Sequence, residues 1–448
     1  MNPISAIILV ALCLMICGGS RRRALLVLFA GALYVPQSEG IHLLSLNLFS
    51  TRLLELALLA RVISRREWSS FTLNAVDRAF LWLYIFSTVV FLLRSPDGQV
   101  FQVGVAVDAF IVYFCCRVLI DTPENFRWLL RSFVLLLIPF VLMVIIERAR
   151  GYSPLAFIGW GSSGAWLRDG KVRCFASFRH PSLLGTVGVG FIPILIGIAF
   201  NREDRRRAVL GIALCLIVVW ATNSGGPISG VAFGCVAWLC WRFRRRMRAV
   251  RWGIVGFIAM AAILMKAPVW YLIARVSEFT GGDGWHRSYL MDVSFQHLGQ
   301  WWFIGMPVDD TVDWFPYMLM ATGGADITNE FISFGLTAGL GAVALFILVL
   351  TRAFTALGKA LQAVRDASPQ PADAEYLLWG LGAMLAAHIV NWFGITYFDQ
   401  TYVLWFAQLA AISTLSDWYI KKSFEPASET EEEKTTPEMR KDMHATAQ

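Results

Sequence analysis

Residues 181–207 read PSLLGTVGVGFIPILIGIAFNREDRRR. Twenty-one residues without a charge are followed at once by four arginines within six positions. An α-helix rises 1.5 Å per residue, so about 20 apolar residues cross the roughly 30 Å of hydrocarbon in a bilayer. The apolar/polar alternation that a membrane barrel needs is absent, and a backbone in lipid must satisfy its own hydrogen bonds. The stretch therefore reads as a membrane helix with a basic cap.

The same unit recurs from end to end. The chain of 448 residues is 57% hydrophobic and 16% charged, against roughly 25% charged in a soluble domain. The fold class is all-α, a polytopic transmembrane helix bundle of about 12–14 spans, and the apolar runs place thirteen: 3–18, 24–38, 42–62, 79–94, 100–119, 128–147, 181–200, 208–223, 226–241, 252–272, 328–350, 376–394 and 401–419. The first run precedes Arg21, Arg22 and Arg23. A cleavable signal carries its positive charge before the apolar segment, so this run is retained as a span.

With the amino terminus outside, 28 of the 39 Lys and Arg fall in inside segments and nine outside, with Arg52 and Lys266 inside spans. Every consecutive connection obeys that alternation, as the positive-inside rule requires. The net charge of +7 is thereby explained without a nucleic-acid partner. Residues 1–422 form the transmembrane domain, and the polar tail 423–448 is expected to be disordered on the cytoplasmic side. Seven of the eight cysteines lie in or beside apolar runs and Cys174 alone falls in an outside loop, so neither a disulfide framework nor zinc-ligand spacing follows.

Two outside loops, 148–180 and 273–327, are longer than connectors need to be, and sites in helical membrane proteins are built on such loops. In the second, Trp285, Tyr289 and Val293, with Leu290 and Leu298 one position over, predict a helix lying at the interface. Together the loops carry Arg168, Lys171, Arg173, Arg179, Arg275 and Arg287. Outside arginine runs against the topological bias, and guanidinium groups grip phosphate or carboxylate through paired donors. The competing reading is headgroup contact or pairing with Asp169, Glu278, Asp283 and Asp292. His180 and His286 are candidate bases, His180 equally a helix-start residue beside an arginine that favours its neutral form. Glu330 is either a first-turn acid behind an N-cap at Thr328 or a base. Gly335, Gly339 and Gly341 are read as close-packing positions. Arg52 and Glu55, three residues apart, are read as an intramembrane ion pair, with proton relay as the rival.

Three stretches resemble the bacterial O-antigen ligases and the O-antigen or exopolysaccharide polymerases: RCFASFRHPSLLG (173–185), HRSYLMDVSFQHLGQWWFIGMP (286–307) and NEFISFGLTAGLGAVALF (329–346). The resemblance implies a glycosyltransferase of the bacterial inner (cytoplasmic) membrane. Its donor would be a polyprenyl-diphosphate-linked glycan met on the periplasmic face among membrane lipids, with a chain-length regulator and a flippase as partners and with no metal, nucleotide or other cofactor. Arg173, Arg287, His180 and Glu330 then take catalytic positions, and Arg179, Arg275, Lys171, His286 and Asn329 bind substrate. Two departures bear on the reaction. Thr328 stands where many members have His before Asn, and Ser224, Gly225, Gly226 and Pro227 stand where many have a Ser-Arg-Gly turn. The first favours polymerase over ligase, and the second removes one anion contact.

Overall fold

A computed structural model describes residues 2–43, 46–160, 164–314, 319–320, 323–367 and 372–422. The expected tail 423–448 lies outside the described residues. The elements in order are α1 Pro3–Gly18, α2 Arg21–Tyr34, β1 Gly40–Leu43, β2 Leu46–Phe49, α3 Ser50–Ser64, α4 Ala75–Arg94, α5 Gln99–Leu119, α6 Pro123–Arg150, β3 Leu167–Arg168, β4 Lys171–Val172, α7 Pro181–Ala199, α8 Arg205–Ala221, α9 Gly225–Leu239, α10 Met247–Leu264, α11 Leu272–Thr280, α12 Gly284–Gln296, α13 Leu298–Trp301, α14 Glu330–Asp366, α15 Ala372–Trp392 and α16 Gln400–Lys422. Among the described residues six helical stretches are long and apolar enough to cross a membrane: α4, α5, α6, α7, Gly225–Leu264 and α14. Helix α7, the stretch with which the sequence reading began, is buried on nearly every side, packed by α8, α9 and α15. An apolar circumference belongs to such a central helix.

Each of the thirteen apolar runs carries a helix, with one clear correction. The run 42–62 does not begin as a helix: Gly40–Leu43 and Leu46–Phe49 pair as the antiparallel strands β1 and β2, and Ser50 starts α3 with its N–H bonded to the Glu39 carbonyl at 2.8 Å. A short apolar run bounded by turns has no period that separates strand from helix.

Connections sort to two poles. At one, Arg21 reaches Asp121 at 3.2 Å and Glu67 at 3.5 Å, Arg117 reaches Asp77 and Asp417 at 3.2 and 2.7 Å, Arg131 pairs with Asp204, Arg127 lies 3.7 Å from Asp373, and Arg365 lies 2.5 Å from Glu375. These are the segments that the charge alternation assigns to one side. At the other pole Asn2 meets Glu39 and Ile158, Gln400 donates to the carbonyls of Val35 and Ser177, and Tyr397 meets Glu330.

Helix α14 is broken. Ala338 and Gly339 leave helical geometry, with Gly339 at φ +75°, and the freed groups are taken up by the segment after α13. Leu340 N–H donates to Trp302 O at 2.7 Å, while Leu336 O accepts from Met306 N–H at 2.9 Å and from Arg94 Nη1 at 3.2 Å. Of the glycines read as packing positions, Gly335 abuts Trp301 and Gly341 abuts Phe86, whereas Gly339 makes the break. Below the break, Leu290, Val293, Trp301, Met306, Trp314, Ala325, Ile327, Ile332 and Leu336 form a small separate core that fixes α12 to the start of α14. The expected helix is thus present as α12, but its buried side runs through His286, Leu290 and Val293, while Trp285 is 57% exposed. The pair Arg52–Glu55 is also revised. Arg52 forms a two-point bond with Asp108 of α5, at 2.7 and 2.5 Å, which its planar fork favours over the neighbour on its own helix.

A Cβ at position 339 would stand 2.3 Å from Phe303 O in a backbone region that side chains avoid. Gly339→Ala is expected to cost about 2 kcal/mol or more and to lower the thermal unfolding midpoint of the detergent-purified protein. An unchanged midpoint would show that the break is not required.

Candidate functional site

The segment from α6 to α7 is locked at several points. Glu147, near the end of α6, accepts the N–H groups of Phe175 and Ala176 at 3.0 and 2.9 Å, and Cys174 N–H donates to Ala221 O at 3.1 Å. Ser177 donates to Leu33 O, and Arg179 pairs with Asp399 at 3.0 Å. Before it, Asp169 and Gly170 turn the hairpin β3–β4 with positive φ at both positions, the backbone of a two-residue hairpin turn. Arg173 N–H extends that ladder to Trp166 O at 2.7 Å. The hairpin and its continuation thereby present Arg168 and Arg173 to the amino end of α9.

Arg173 is 7% exposed and donates from Nη2 to Ser224 Oγ at 2.8 Å and from Nε to Thr222 O at 3.4 Å. Arg287 arrives on α12, whose N-cap Asp283 accepts from His286 N–H at 2.9 Å. Its guanidinium lies against α9 and the end of α15: a Cβ at Gly394 would be 2.9 Å from Nη1, and one at Gly226 would be 3.4 Å from Nη2. The approach of α11–α12 to α9 is so close that a Cβ at Gly225 would collide with Gly281 O. Among the described residues no carboxylate lies within ion-pair distance of Arg168, Arg173 or Arg287. Helix α9 opens there without a side-chain cap, so its dipole adds positive potential to the same recess.

Three guanidinium groups share one field. Burial first, then Arg168 and Arg287, pull Arg173 down to about 10. Burial and Arg168 pull Arg287 to about 10 against the opposing effect of Asp283 and Asp326. His180 falls to about 4 through burial, then Arg173, Arg168 and Arg287. Its Nδ1 accepts from Ser182 N–H at 3.1 Å, so the neutral ring carries its proton on Nε2. His180 is therefore a hydrogen-bond donor here rather than a proton acceptor. Burial holds the carboxyl of Asp326 above the usual carboxylate range, opposed by His286 and Arg287.

Of the residues singled out from sequence, Arg173, Arg287 and His180 are brought together, and His286 lies next to Arg287 on α12, buried and in the field of Asp283 and Asp326. Arg179 is engaged by Asp399. Arg275 lies on the surface, paired with Glu278, and Lys171 is exposed at the hairpin. Asn329, not Thr328, caps α14, its Oδ1 accepting from Phe331 and Ile332 N–H at 3.0 and 3.1 Å. Glu330 accepts from Tyr397 N–H at 2.8 Å and from Tyr402 Oη at 3.4 Å, so its carboxylate joins α14 to the connection between α15 and α16.

Sequence reasoning gave no place to Asp326 or Asn391. Asn391 could have been found as an amide inside the apolar run 376–394, where polar groups are costly. Compared with known proteins, the chain matches no family model and no curated sequence.

Because arginine charge follows burial as a cause of the low His180 value, Arg173→Ala is expected to raise it. The folded state then accepts a proton more readily, which narrows the window from the ordinary 6.5 down to about 4 in which falling pH costs stability. Histidine NMR titration of wild type and variant measures the shift, and identical curves would show that Arg173 does not act on His180.

Proposed function

We propose that the protein is a metal-independent glycosyltransferase that extends a polysaccharide from a polyprenyl-diphosphate-linked oligosaccharide, on the periplasmic face of a bacterial inner membrane. The observation that carries this reading is the cluster of Arg168, Arg173 and Arg287 without a carboxylate partner among the described residues, at the pole away from the arginine-rich connections. An unpaired buried cation is costly, and a dianionic ligand removes that cost. A diphosphate offers two charged groups with oxygens suited to paired guanidinium donors.

The acceptor hydroxyl attacks the anomeric carbon, the bond from that carbon to the diphosphate oxygen breaks, and its electron pair leaves with the diphosphate. Arg173 and Arg287 meet the charge that develops there, the electrostatic stabilisation on which such a transfer chiefly depends, and His180 Nε2–H adds a neutral donor. The hydroxyl proton passes to Asp326, which stands in the field of Arg287, whereas the Glu330 carboxylate is engaged by Tyr397 and Tyr402. Extension of a glycan is preferred to transfer onto a lipid or protein acceptor because Thr328 stands where the resembling ligases carry His.

A lipid-linked glycan flippase would gather the same arginines, and the broken α14 is a feature of transporters. The freed backbone groups at that break are bonded to Trp302, Met306 and Arg94 rather than lining a path, which favours transfer.

Arg173→Lys and Arg287→Lys keep the charge and lose the fork, and kcat/KM is expected to fall about 10²-fold or more for each. The assay is lengthening of a lipid-linked oligosaccharide by purified protein in liposomes without nucleotide. Headgroup translocation without lengthening would replace the transferase reading with the flippase one.

A further inference from the structure

Asn391 lies in the last turn of α15 and is fully buried. Its Nδ2 donates to the Tyr397 hydroxyl at 3.0 Å, that hydroxyl lies 2.5 Å from His388 Nδ1, and His388 Nε2 lies 2.7 Å from Gln408 Oε1. The direction of every bond follows from the acceptor at the far end, with the Gln408 amide assigned from the network. Gln408 Oε1 can only accept, so Nε2 carries the ring proton, Nδ1 accepts from Tyr397, and the Tyr397 oxygen accepts from Asn391. The chain thereby fixes which way the Asn391 amide faces.

The other end of that amide has no partner. Asn391 Oδ1 is sealed from solvent and meets no donor among the described residues. Oδ1 and Arg287 Nη2 each lie 3.4 Å from the place that a Cβ on Gly226 would occupy, so the orphaned acceptor and the guanidinium flank one glycine. A buried acceptor left without a donor is rare and costly.

We propose that Asn391 is a positioning residue for Arg287: its Oδ1 backs the guanidinium from the sealed side, and the Tyr397–His388–Gln408 chain keeps that oxygen, not the Nδ2 donor, turned toward it. The inference rests on Arg287 being a ligand of the diphosphate, as proposed above. With an acceptor rather than a second donor on that side, nothing repels the guanidinium from its seat, and its N–H groups are kept for the recess. Loss of the Tyr397 hydroxyl frees the amide to rotate and set donor against donor.

The test is binding of inorganic pyrophosphate and, separately, of a polyprenyl diphosphate to the full chain in lipid nanodiscs. Tighter binding of the lipid form assigns the diphosphate to a lipid headgroup, and equal binding assigns it to a free anion; both leave the role of Asn391 standing. Asn391→Ala and Tyr397→Phe are expected to weaken binding about tenfold. Neither should weaken it further when Arg287 is already alanine. The isosteric Asn391→Asp places a carboxylate beside Arg287 and is expected to lose more affinity than Asn391→Ala at neutral pH, with unfolding midpoints establishing that each variant is folded. Wild-type affinity in Asn391→Asp and Tyr397→Phe, or losses that add to that of Arg287→Ala, would overturn the positioning role while leaving the diphosphate reading intact. Wild-type affinity in Arg287→Ala would overturn both.

Discussion

Arg173 is buried and Arg287 half-buried, with no counter-ion within bonding distance among the described residues, and their low proton affinities follow from burial and from Arg168 beside them. An uncompensated buried charge costs several kcal/mol, and like charges add to the cost, so the recess holds together only because groups outside it hold it. Glu147 fixes the backbone at Phe175 and Ala176, Gln400 anchors Ser177, Asp399 draws Arg179 away, and Ser224 and Thr222 give Arg173 neutral oxygens. None of these contacts neutralises the arginines that face the recess. The positive potential is preserved by supporting the backbone instead of the charge.

The contrast between the poles makes the same point. Where the chain carries most of its arginines, several are held by carboxylates: Arg61 by Glu67, Arg117 by Asp77 and Asp417, Arg131 by Asp204, Arg365 by Glu375. Arg117 of α5 thereby ties α4 and α16 together, and Arg131 of α6 reaches Asp204 before α8. Arginine at that pole serves topology and then packing. At the opposite pole it is scarcer, and Arg168, Arg173 and Arg287 converge there without a carboxylate partner among the described residues.

Periodicity and charge alternation made the helices and their two-sided arrangement legible, because a bilayer imposes length and polarity on every span. The strand pair β1–β2 was not legible, since short, mostly apolar stretches satisfy strand and helix alike. The hairpin at 167–172 was marked by Asp169–Gly170, a pair suited to a two-residue turn, although long loops draw attention to their charges first. For the site, the residue type gave Arg173 and Arg287, but proximity is a tertiary fact: 114 positions separate them. The partner of Arg52 was misread for the same reason, because helical spacing reveals neighbours on one helix and not Asp108 on the next.

That separation also explains why the bundle is packed as it is around α7. Arg168 and Arg173 hang from the connection between α6 and α7, and Arg287 from α12, so they meet only if α9 and α15 lie close to α7. Small residues permit this: a Cβ at Gly230 would crowd Val189, one at Gly234 would meet Pro193, and one at Gly197 would meet the Tyr376 carbonyl. With little hydrophobic force between helices in lipid, such close backbone approach is what holds spans together. The same contacts that hold the bundle therefore set the spacing of the arginines, and a change in helix packing far from the recess alters the geometry with which an anion is held.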